Sequence, residues 1–270
     1  QVFTAFAPDS GDSTGCRPLT VQLRDSLRYT DSIFWDFDGD TLPDDTSRTP
    51  TWTFDNPGRY PITHVAWNTG NCTTYTTSHA TAFRLPDPDI FSPDTQVCVG
   101  SSITVRDVSQ PTDAPIISRS WDMGDGSESL EEPEILYTYI IPDTYTVKLE
   151  VSDTNNCVDS TTQTIIIDEP IANFTSTPPP GDTVFFPDLY IDFQNTSNNI
   201  LNATWLRVPT EFEVAGDPPF ATNNNSPRLD LDRRDGGSDF WIRLIHETQT
   251  GCIDTITQGP YNVRLPDFRL

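Results

Sequence analysis

Basic residues and methionine are scarce in this sequence. Its 270 residues contain 16 lysines and arginines against 40 aspartates and glutamates, a formal net charge of −24, and a single methionine. So acidic a chain repels phosphate backbones and anionic lipid headgroups. No apolar run approaches the roughly 18 residues of a membrane-spanning helix. We therefore expect neither nucleic acid nor membrane insertion among its interactions.

Uninterrupted helix-forming stretches are lacking as well. The 24 prolines and 14 glycines stand among many threonines, serines, aspartates and asparagines, and this mixture breaks helices. An all-α fold is thereby excluded. A hydrophobic content of 35% over 270 residues indicates two or three ordinary domains rather than one large core.

Catalytic motifs are also missing. The sequence has only three histidines, His64, His79 and His246, and His79 has no cysteine or second histidine at metal-ligand spacing. There is no G-x-S-x-G motif, no H-E-x-x-H motif and no glycine-rich phosphate loop. His64 and His246 fall on inward positions of alternating segments, which is typical of core residues. We therefore expect a protein that is not an enzyme.

Three tryptophans mark an internal repeat. Trp35, Trp121 and Trp205 lie 86 and 84 residues apart. Each is followed by an alternating segment that ends in a cysteine: YPITHVAWNTGNC, YTVKLEVSDTNNC and FWIRLIHETQTGC. Short alternating segments separated by turn residues, in units of about 80 to 100 residues, predict a β-sandwich in each repeat.

The second repeat carries the most specific motif. Its WDMGDGS segment at residues 121–127 is followed by YTY at 137–139 and by DTYTVKLEVSD, and together these resemble the PKD (polycystic kidney disease) domain. The first repeat matches well through IFWDFDGD, whereas the third keeps only Trp205 and the FWIRL strand. With their cysteines, the repeats are similar to the PKD-like and Ig-like repeats of Bacteroidota cell-surface proteins, including adhesins of the gliding-motility type.

The resemblance implies an all-β fold of three tandem Ig-like (PKD-type) β-sandwich domains in an elongated rod. Proline-containing linkers near residues 86 and 170 divide the chain into domain 1 at 1–86, domain 2 at 87–170 and a degenerate domain 3 at 171–267. Residues 268–270 are expected to begin a linker or a next repeat, because NVRLPDFRL repeats the linker FRLPDPDIF.

The first tryptophan turn is unusually acidic. DFDGDTLPDD places Asp36, Asp38, Asp40 and Asp44 at positions 1, 3, 5 and 9, an alternation of oxygens that suits a hard cation. The segment resembles the calcium loops of thrombospondin-type repeats, except that Ser47 stands at position 12. The resemblance implies a structural Ca²⁺ ion held by the four aspartates. The same residues also suit a tight turn without any ion, and both interpretations stay open.

The five cysteines indicate an oxidising, extracellular compartment. Pairing within repeats would join Cys16 to Cys72 and Cys98 to Cys157. In a seven-strand sandwich, however, the A–B loop and the F–G hairpin lie at opposite ends, farther apart than the roughly 7 Å that a disulfide allows. Because the A–B end of one domain faces the F–G end of the next, a second scheme joins Cys16 to Cys157 and Cys98 to Cys252. That scheme leaves Cys72 for a preceding domain or another subunit.

Asp-Ser/Thr triplets followed by an aliphatic residue or threonine are more frequent than the roughly two or three that composition predicts. They resemble the O-glycosylation sites of exported Bacteroidota proteins, in which the central hydroxyl is the acceptor. Chance in a threonine-rich chain is the other interpretation. The candidate acceptors are Ser13, Ser26, Ser32, Thr41, Ser160, Thr183 and Thr255.

These patterns favour a non-enzymatic, extracellular structural or adhesive segment of a long surface protein or filament, in which the sandwiches act as rigid spacers. Its expected partners are neighbouring repeats or subunits of the same protein, with surface polysaccharide or another cell-surface ligand as candidates. The alternative is an accessory polymer-binding region of a secreted hydrolase. Trp52 and Trp67 are its candidate contact residues, although Trp52 aligns with Tyr137 at a core position.

Overall fold

The structure is a computed structural model that describes residues 6–8, 14–27, 30–70, 72–185, 190–209, 218–231 and 239–264. All regular elements in these residues are β-strands, so the predicted all-β class is confirmed. In the described part of the chain, no helix has the length and hydrophobicity to cross a membrane. Contacts divide the chain into two units. The first comprises residues 1–93, 104–135 and 146–163, and the second comprises 94–103, 136–145 and 164–270.

The first repeat, which lies wholly in the first unit, forms two facing sheets. Strands β1, β3 and β5 make a three-stranded sheet in the order β1-β3-β5, and the others make a four-stranded sheet in the order β2-β7-β6-β4. The strands are β1 (Phe6–Pro8), β2 (Thr14–Cys16), β3 (Leu19–Asp25), β4 (Ser32–Asp36), β5 (Thr51–Phe54), β6 (Gly58–Trp67) and β7 (Thr73–Phe83).

Strict alternation builds the core of this sandwich. β3 buries every second side chain from Val21 onward, and the facing sheet contributes Trp35 and Ile62 to the same cluster. Trp35 is fully buried. The Phe37 ring stacks on Trp52, with centroids 4.6 Å apart. Burial of each such side chain contributes about 2 kcal/mol, so the two sheets hold together without any helix.

The second repeat contributes residues to both units. Within the first unit β8 pairs antiparallel with β10, and β11 pairs antiparallel with β13 so that Trp121 lies opposite Leu149. Within the second unit β9 pairs parallel with β14. The strands are β8 (Ile90–Phe91), β9 (Gln96–Cys98), β10 (Ser102–Asp107), β11 (Ile116–Asp122), β12 (Glu134–Thr138), β13 (Thr144–Asp153) and β14 (Val158–Asp168).

The third repeat, in the second unit, is also a sandwich despite its degenerate sequence. Its sheets have the orders β15-β17-β20 and β16-β22-β21-β18-β19. Trp205 is fully buried against Phe174 and Phe193, at centroid distances of 5.2 and 5.5 Å. The strands are β15 (Phe174–Thr177), β16 (Thr183–Phe185), β17 (Tyr190–Asn195), β18 (Ile200–Val208), β19 (Ala221–Thr222), β20 (Arg228–Asp230), β21 (Asp239–Thr248) and β22 (Ile253–Arg264).

One strand pairing recurs in all three repeats. The short strands β2, β9 and β16 each run parallel to the last strand of their own repeat, β7, β14 and β22 respectively. This pairing brings the first cysteine of the first repeat, Cys16, beside Phe83, and that of the second, Cys98, beside Asp168. The domain boundaries near residues 86 and 170 stay predictions, and residues 268–270 lie outside the described residues.

Candidate functional site

In each repeat, a hydrogen bond from the tryptophan anchors the segment that follows it. All three indoles are fully buried. Each indole N–H donates to a backbone carbonyl farther along the chain, at 3.0 Å for Trp35, 2.9 Å for Trp121 and 2.8 Å for Trp205. A buried indole needs such a partner, and the bond fixes where the turn after the tryptophan returns to the sandwich.

In the second repeat this turn is compact and glycine-dependent. Asp122 Oδ1 accepts the Gly124 N–H at 2.8 Å, and Asp125 Oδ1 accepts the Ser127 N–H at 3.0 Å. Gly124 has a φ of +79°, and a Cβ there would lie 2.6 Å from the carbonyl oxygen of Thr146. Only glycine fits that position.

In the first repeat, backbone N–H groups of the turn donate to the aspartate carboxylates. Asp36, whose side chain is buried, accepts N–H groups at both oxygens, from Gly39 at 2.7 Å and from Thr41 at 3.0 Å. Asp38 Oδ1 accepts the Asp40 N–H at 3.0 Å. These bonds support the interpretation as a tight turn.

Three of the four predicted calcium ligands come together. Asp36, Asp38 and Asp40 each offer one carboxylate oxygen, and these atoms lie within 4.8 Å of one another. Asp44 does not belong to this group, and its Oδ2 accepts the N–H of Phe37, seven residues away in the sequence, at 2.6 Å. Ca²⁺ takes about six to eight oxygens, so carbonyls or water would have to supply the rest. The residues present fit an incomplete calcium shell.

Two disulfides join successive repeats. Cys16 is bonded to Cys157 within the first unit and Cys98 to Cys252 within the second, with Cα–Cα distances of 5.4 and 5.5 Å. The structure therefore has the second of the two pairing schemes and not the pairing within repeats. Cys72 is a free, exposed thiol.

The cysteines that follow β6, β13 and β21 lie in similarly capped hairpins. Asp153 Oδ1 accepts the Cys157 N–H at 2.9 Å, and Thr248 Oγ1 accepts the Cys252 N–H at 3.2 Å. In the first repeat Asn68 Oδ1 accepts the Cys72 N–H, also at 3.2 Å. Sequence reasoning missed these capping residues, although a polar side chain four positions before each cysteine is a readable signal. The free Cys72 thus has the local setting of the two bonded cysteines.

A second polar link supports the Cys98–Cys252 bridge. Asp168, at the end of β14, accepts the Thr250 hydroxyl at 2.6 Å, and the Asn199 amide lies 3.4 Å from it. Burial alone would raise the pKa of Asp168, but hydrogen bonds from Thr250, Thr248 and Asn199 hold it below its usual value. The carboxylate therefore stays charged and ties the second repeat to the Thr248–Cys252 hairpin of the third.

The glycan acceptors differ in accessibility. Ser13 lies outside the described residues. Two acceptors, Ser32 and Thr183, are half-buried. The exposed acceptors are Ser26, Thr41, Ser160 and Thr255.

The histidines lie where the alternation places them. His64 and His246 are buried and His79 is exposed. Burial lowers the pKa of His64, while Asp25, whose Oδ1 lies 3.9 Å from the imidazole Nε2, raises it and Arg48 lowers it further. Among the described residues, the group of side chains that could hold a metal contains no histidine.

Comparison with known proteins supports the assignment of the fold. Residues 84–167 match the family model of the PKD domain. No curated protein sequence matches the chain significantly. This match covers the second repeat, and together with the fold and the repeats it supports a chain of tandem PKD-like and Ig-like domains.

Solved structures with similar folds include three bacterial proteins. The PKD1 domain of the Vibrio cholerae metalloprotease PrtV is 27% identical over 31% of this chain and 98% of its own, with a TM-score of 0.28. The fibronectin(III)-like modules of Clostridium thermocellum CbhA are 11% identical over 61% and 95%, with a TM-score of 0.33. A bacterial ice-binding adhesin is 12% identical over 98% of both chains, with a TM-score of 0.39.

Proposed function

We propose that this chain is a non-enzymatic segment of a cell-surface protein or filament, whose tandem sandwiches act as a rigid, disulfide-linked spacer with an adhesive role. An extracellular structural or adhesive function fits PKD-like and Ig-like domains. The observation that carries the proposal is the pairing of Cys16 with Cys157 and of Cys98 with Cys252, each across two repeats.

The physical effect of these bridges is mechanical. Each one closes a long loop, of 141 residues for the first and 154 for the second, and such a cross-link stabilises a fold by about 4 kcal/mol. Since the two loops overlap in sequence, they also shorten the covalent path along which force is transmitted. A segment that must hold its length under load benefits from both effects.

Single-molecule stretching of the whole chain tests this proposal. With both bridges intact, the shortest covalent path runs to Cys16, from Cys157 back to Cys98, and on from Cys252. That path has roughly 90 residues and reaches about 300 Å at full extension, whereas the reduced chain reaches about 900 Å. Pairing within repeats would instead give roughly 150 residues and about 500 Å. An oxidised contour near that longer value would contradict the proposal.

We also propose that Asp36, Asp38 and Asp40 bind a structural Ca²⁺ ion. Their convergent oxygens support it, and so does the repulsion among carboxylates that a cation would relieve. Asp44 is retained only as a turn residue.

O-glycosylation is a further proposal of this kind. The four exposed acceptors, Ser26, Thr41, Ser160 and Thr255, are the preferred sites because their hydroxyls are accessible to a transferase. Intact-mass measurement of protein from its native source would show the added hexose units.

An accessory polymer-binding role is a second candidate function. Of its two predicted contact residues, Trp52 stacks on Phe37 in the core, whereas Trp67 is 37% exposed. The exposure of Trp67 is the observation that favours a binding surface on the first repeat.

A further inference from the structure

The outer face of the four-stranded sheet in the first repeat carries a strip of aromatic side chains. Phe34 on β4 pairs with Val65 on β6, which pairs with Tyr75 on β7. Trp67 occupies the next outward position of β6, and its ring meets Phe34 edge-to-face at a centroid distance of 6.0 Å. Tyr75 is 77% exposed. We call Phe34, Val65, Trp67 and Tyr75 the aromatic strip.

The fold does not require these aromatic residues. The outward positions that correspond to the three aromatic residues of the strip hold small or polar side chains in the other repeats, in strands with the same pairing register, whereas Val65 corresponds to Glu150 and Ile245. The small or polar residues are Ser120 and Thr204 in place of Phe34, Ser152 and Glu247 in place of Trp67, and Ser160 and Thr255 in place of Tyr75. Exposed aromatic rings that contribute nothing common to all three sandwiches indicate a contact surface.

The strip is bordered by hydroxyl groups and carries no charge. Thr63 and Thr77 lie beside it with their Oγ1 atoms 3.2 Å apart, and Thr73 is exposed next to Trp67. The exposed outward positions of β4, β6 and β7 around the strip hold no acidic residue, in a chain of net charge −24. Asp31, at the Trp67 end, uses Oδ2 to accept the Thr69 N–H.

This chemistry suits a neutral sugar polymer. A pyranose ring presents apolar C–H faces that stack on aromatic rings and a rim of hydroxyls that exchange hydrogen bonds with threonine. A second copy of the chain fits less well, since two bodies of charge −24 repel each other. A cationic ligand would find no carboxylate on the strip itself.

We propose that the aromatic strip is a binding site for a neutral polysaccharide, whose sugar rings stack on Trp67 and Tyr75. The site rests on the adhesive part of the proposed function and gives it a ligand class. It does not depend on the disulfides.

Retention on insoluble polysaccharides tests the site in the full chain. We expect the protein to sediment with at least one of microcrystalline cellulose, chitin, mannan and starch. The double variant W67S/Y75S should bind that polymer at least about tenfold more weakly, as expected when contact aromatics are truncated. Serine occupies both positions in the second repeat, so the variant should fold, and an unchanged melting temperature checks this.

The control S152A/S160A alters the matching positions of the second repeat and should bind like the unmodified chain. Lack of retention on all four polymers, or equal retention of W67S/Y75S, overturns the site. Self-association that W67S/Y75S abolishes, without retention, assigns the strip to a second copy instead. A stretching contour near 300 Å with no retention on polysaccharide would refute only the binding site. A contour near 500 Å with retention would refute only the spacer.

Discussion

At the scale of single residues, the buried side chains of Asp25 and His64 make the stability of the first repeat depend on pH. Asp25 is fully buried at its side chain, accepts the Leu27 N–H at 2.8 Å and pairs with Arg48 at 2.7 Å. His64 lies against it, with a pKa that burial holds below its usual value of 6.5. The folded repeat therefore keeps His64 neutral at a pH where the unfolded chain would protonate it.

Acid should destabilise the first repeat through His64. As the pH falls below about 6.5, His64 becomes protonated in the unfolded chain, whereas in the folded chain it stays neutral until the pH reaches its lower pKa. Over that range the free energy of unfolding falls by at most about 1.4 kcal/mol per pH unit. The H64L variant, which copies Leu149 and Leu244 at the matching inward position, should lose this dependence. Urea unfolding at about pH 7 and pH 5.5 measures the free energy of unfolding, and hydrogen exchange of the amides in β4 and β6 at the same two pH values reports on the first repeat.

The exposed His79 provides the control for that experiment. H79Q should leave the pH dependence unchanged, because His79 is exposed and lies outside the buried contact of His64 with Asp25. An equal acid response in the unmodified protein and H64L would show that other groups are responsible.

At the scale of elements, one turn is built in two ways. The second repeat relies on Gly124 and a few Asp bonds to backbone N–H groups, whereas the first repeat surrounds its backbone with carboxylates. Asp36 accepts two N–H groups, while Asp38 and Asp40 are exposed and accept the N–H groups of Asp40 and Leu42 respectively. One oxygen from each of the three carboxylates lies within 4.8 Å of the others.

Calcium should stabilise the first repeat through this loop. At a Ca²⁺ concentration about 100 times the dissociation constant, binding adds about 3 kcal/mol and raises the melting temperature by roughly 5 °C or more. The D38N/D40N variant should lose that shift yet keep its stability in EDTA, since asparagine Oδ1 can accept the same N–H groups. Differential scanning calorimetry in calcium and in EDTA decides, with D122N as the control. Identical melting temperatures in both buffers would refute the ion.

The strands could be predicted from sequence far better than the contacts at their ends. Alternation placed His64 and His246 inside because side-chain direction in a strand follows a period of two. Alternation says nothing about which N–H an aspartate accepts. Asp44 was therefore grouped with the metal ligands, and the capping role of Asp153 was missed.

At the scale of the whole molecule, the repeat explains a pairing that single domains could not decide. The spacing of the five cysteines suited two schemes, and only the position of each cysteine at one end of a sandwich distinguishes them. The structure joins Cys16, at an opening strand, to the hairpin cysteine Cys157 of the following repeat, and Cys98 to Cys252 in the same way. The rule is one bridge per pair of successive repeats.

Applied once more, the rule gives Cys72 a partner in another repeat. Its hairpin is capped by Asn68 as those of Cys157 and Cys252 are by Asp153 and Thr248, and its thiol is exposed. We expect protein from its native source to carry Cys72 in a disulfide to a cysteine outside these 270 residues, from a preceding repeat or another subunit.

Non-reducing peptide mapping would identify the peptide that is bonded to Cys72, and C72S should remove the corresponding high-mass species from non-reducing gels. In the isolated chain, Cys72 should be the single thiol that iodoacetamide modifies, because the other four cysteines are bonded. Recovery of Cys72 as a free thiol from native material would limit the bridging rule to the two pairs already formed.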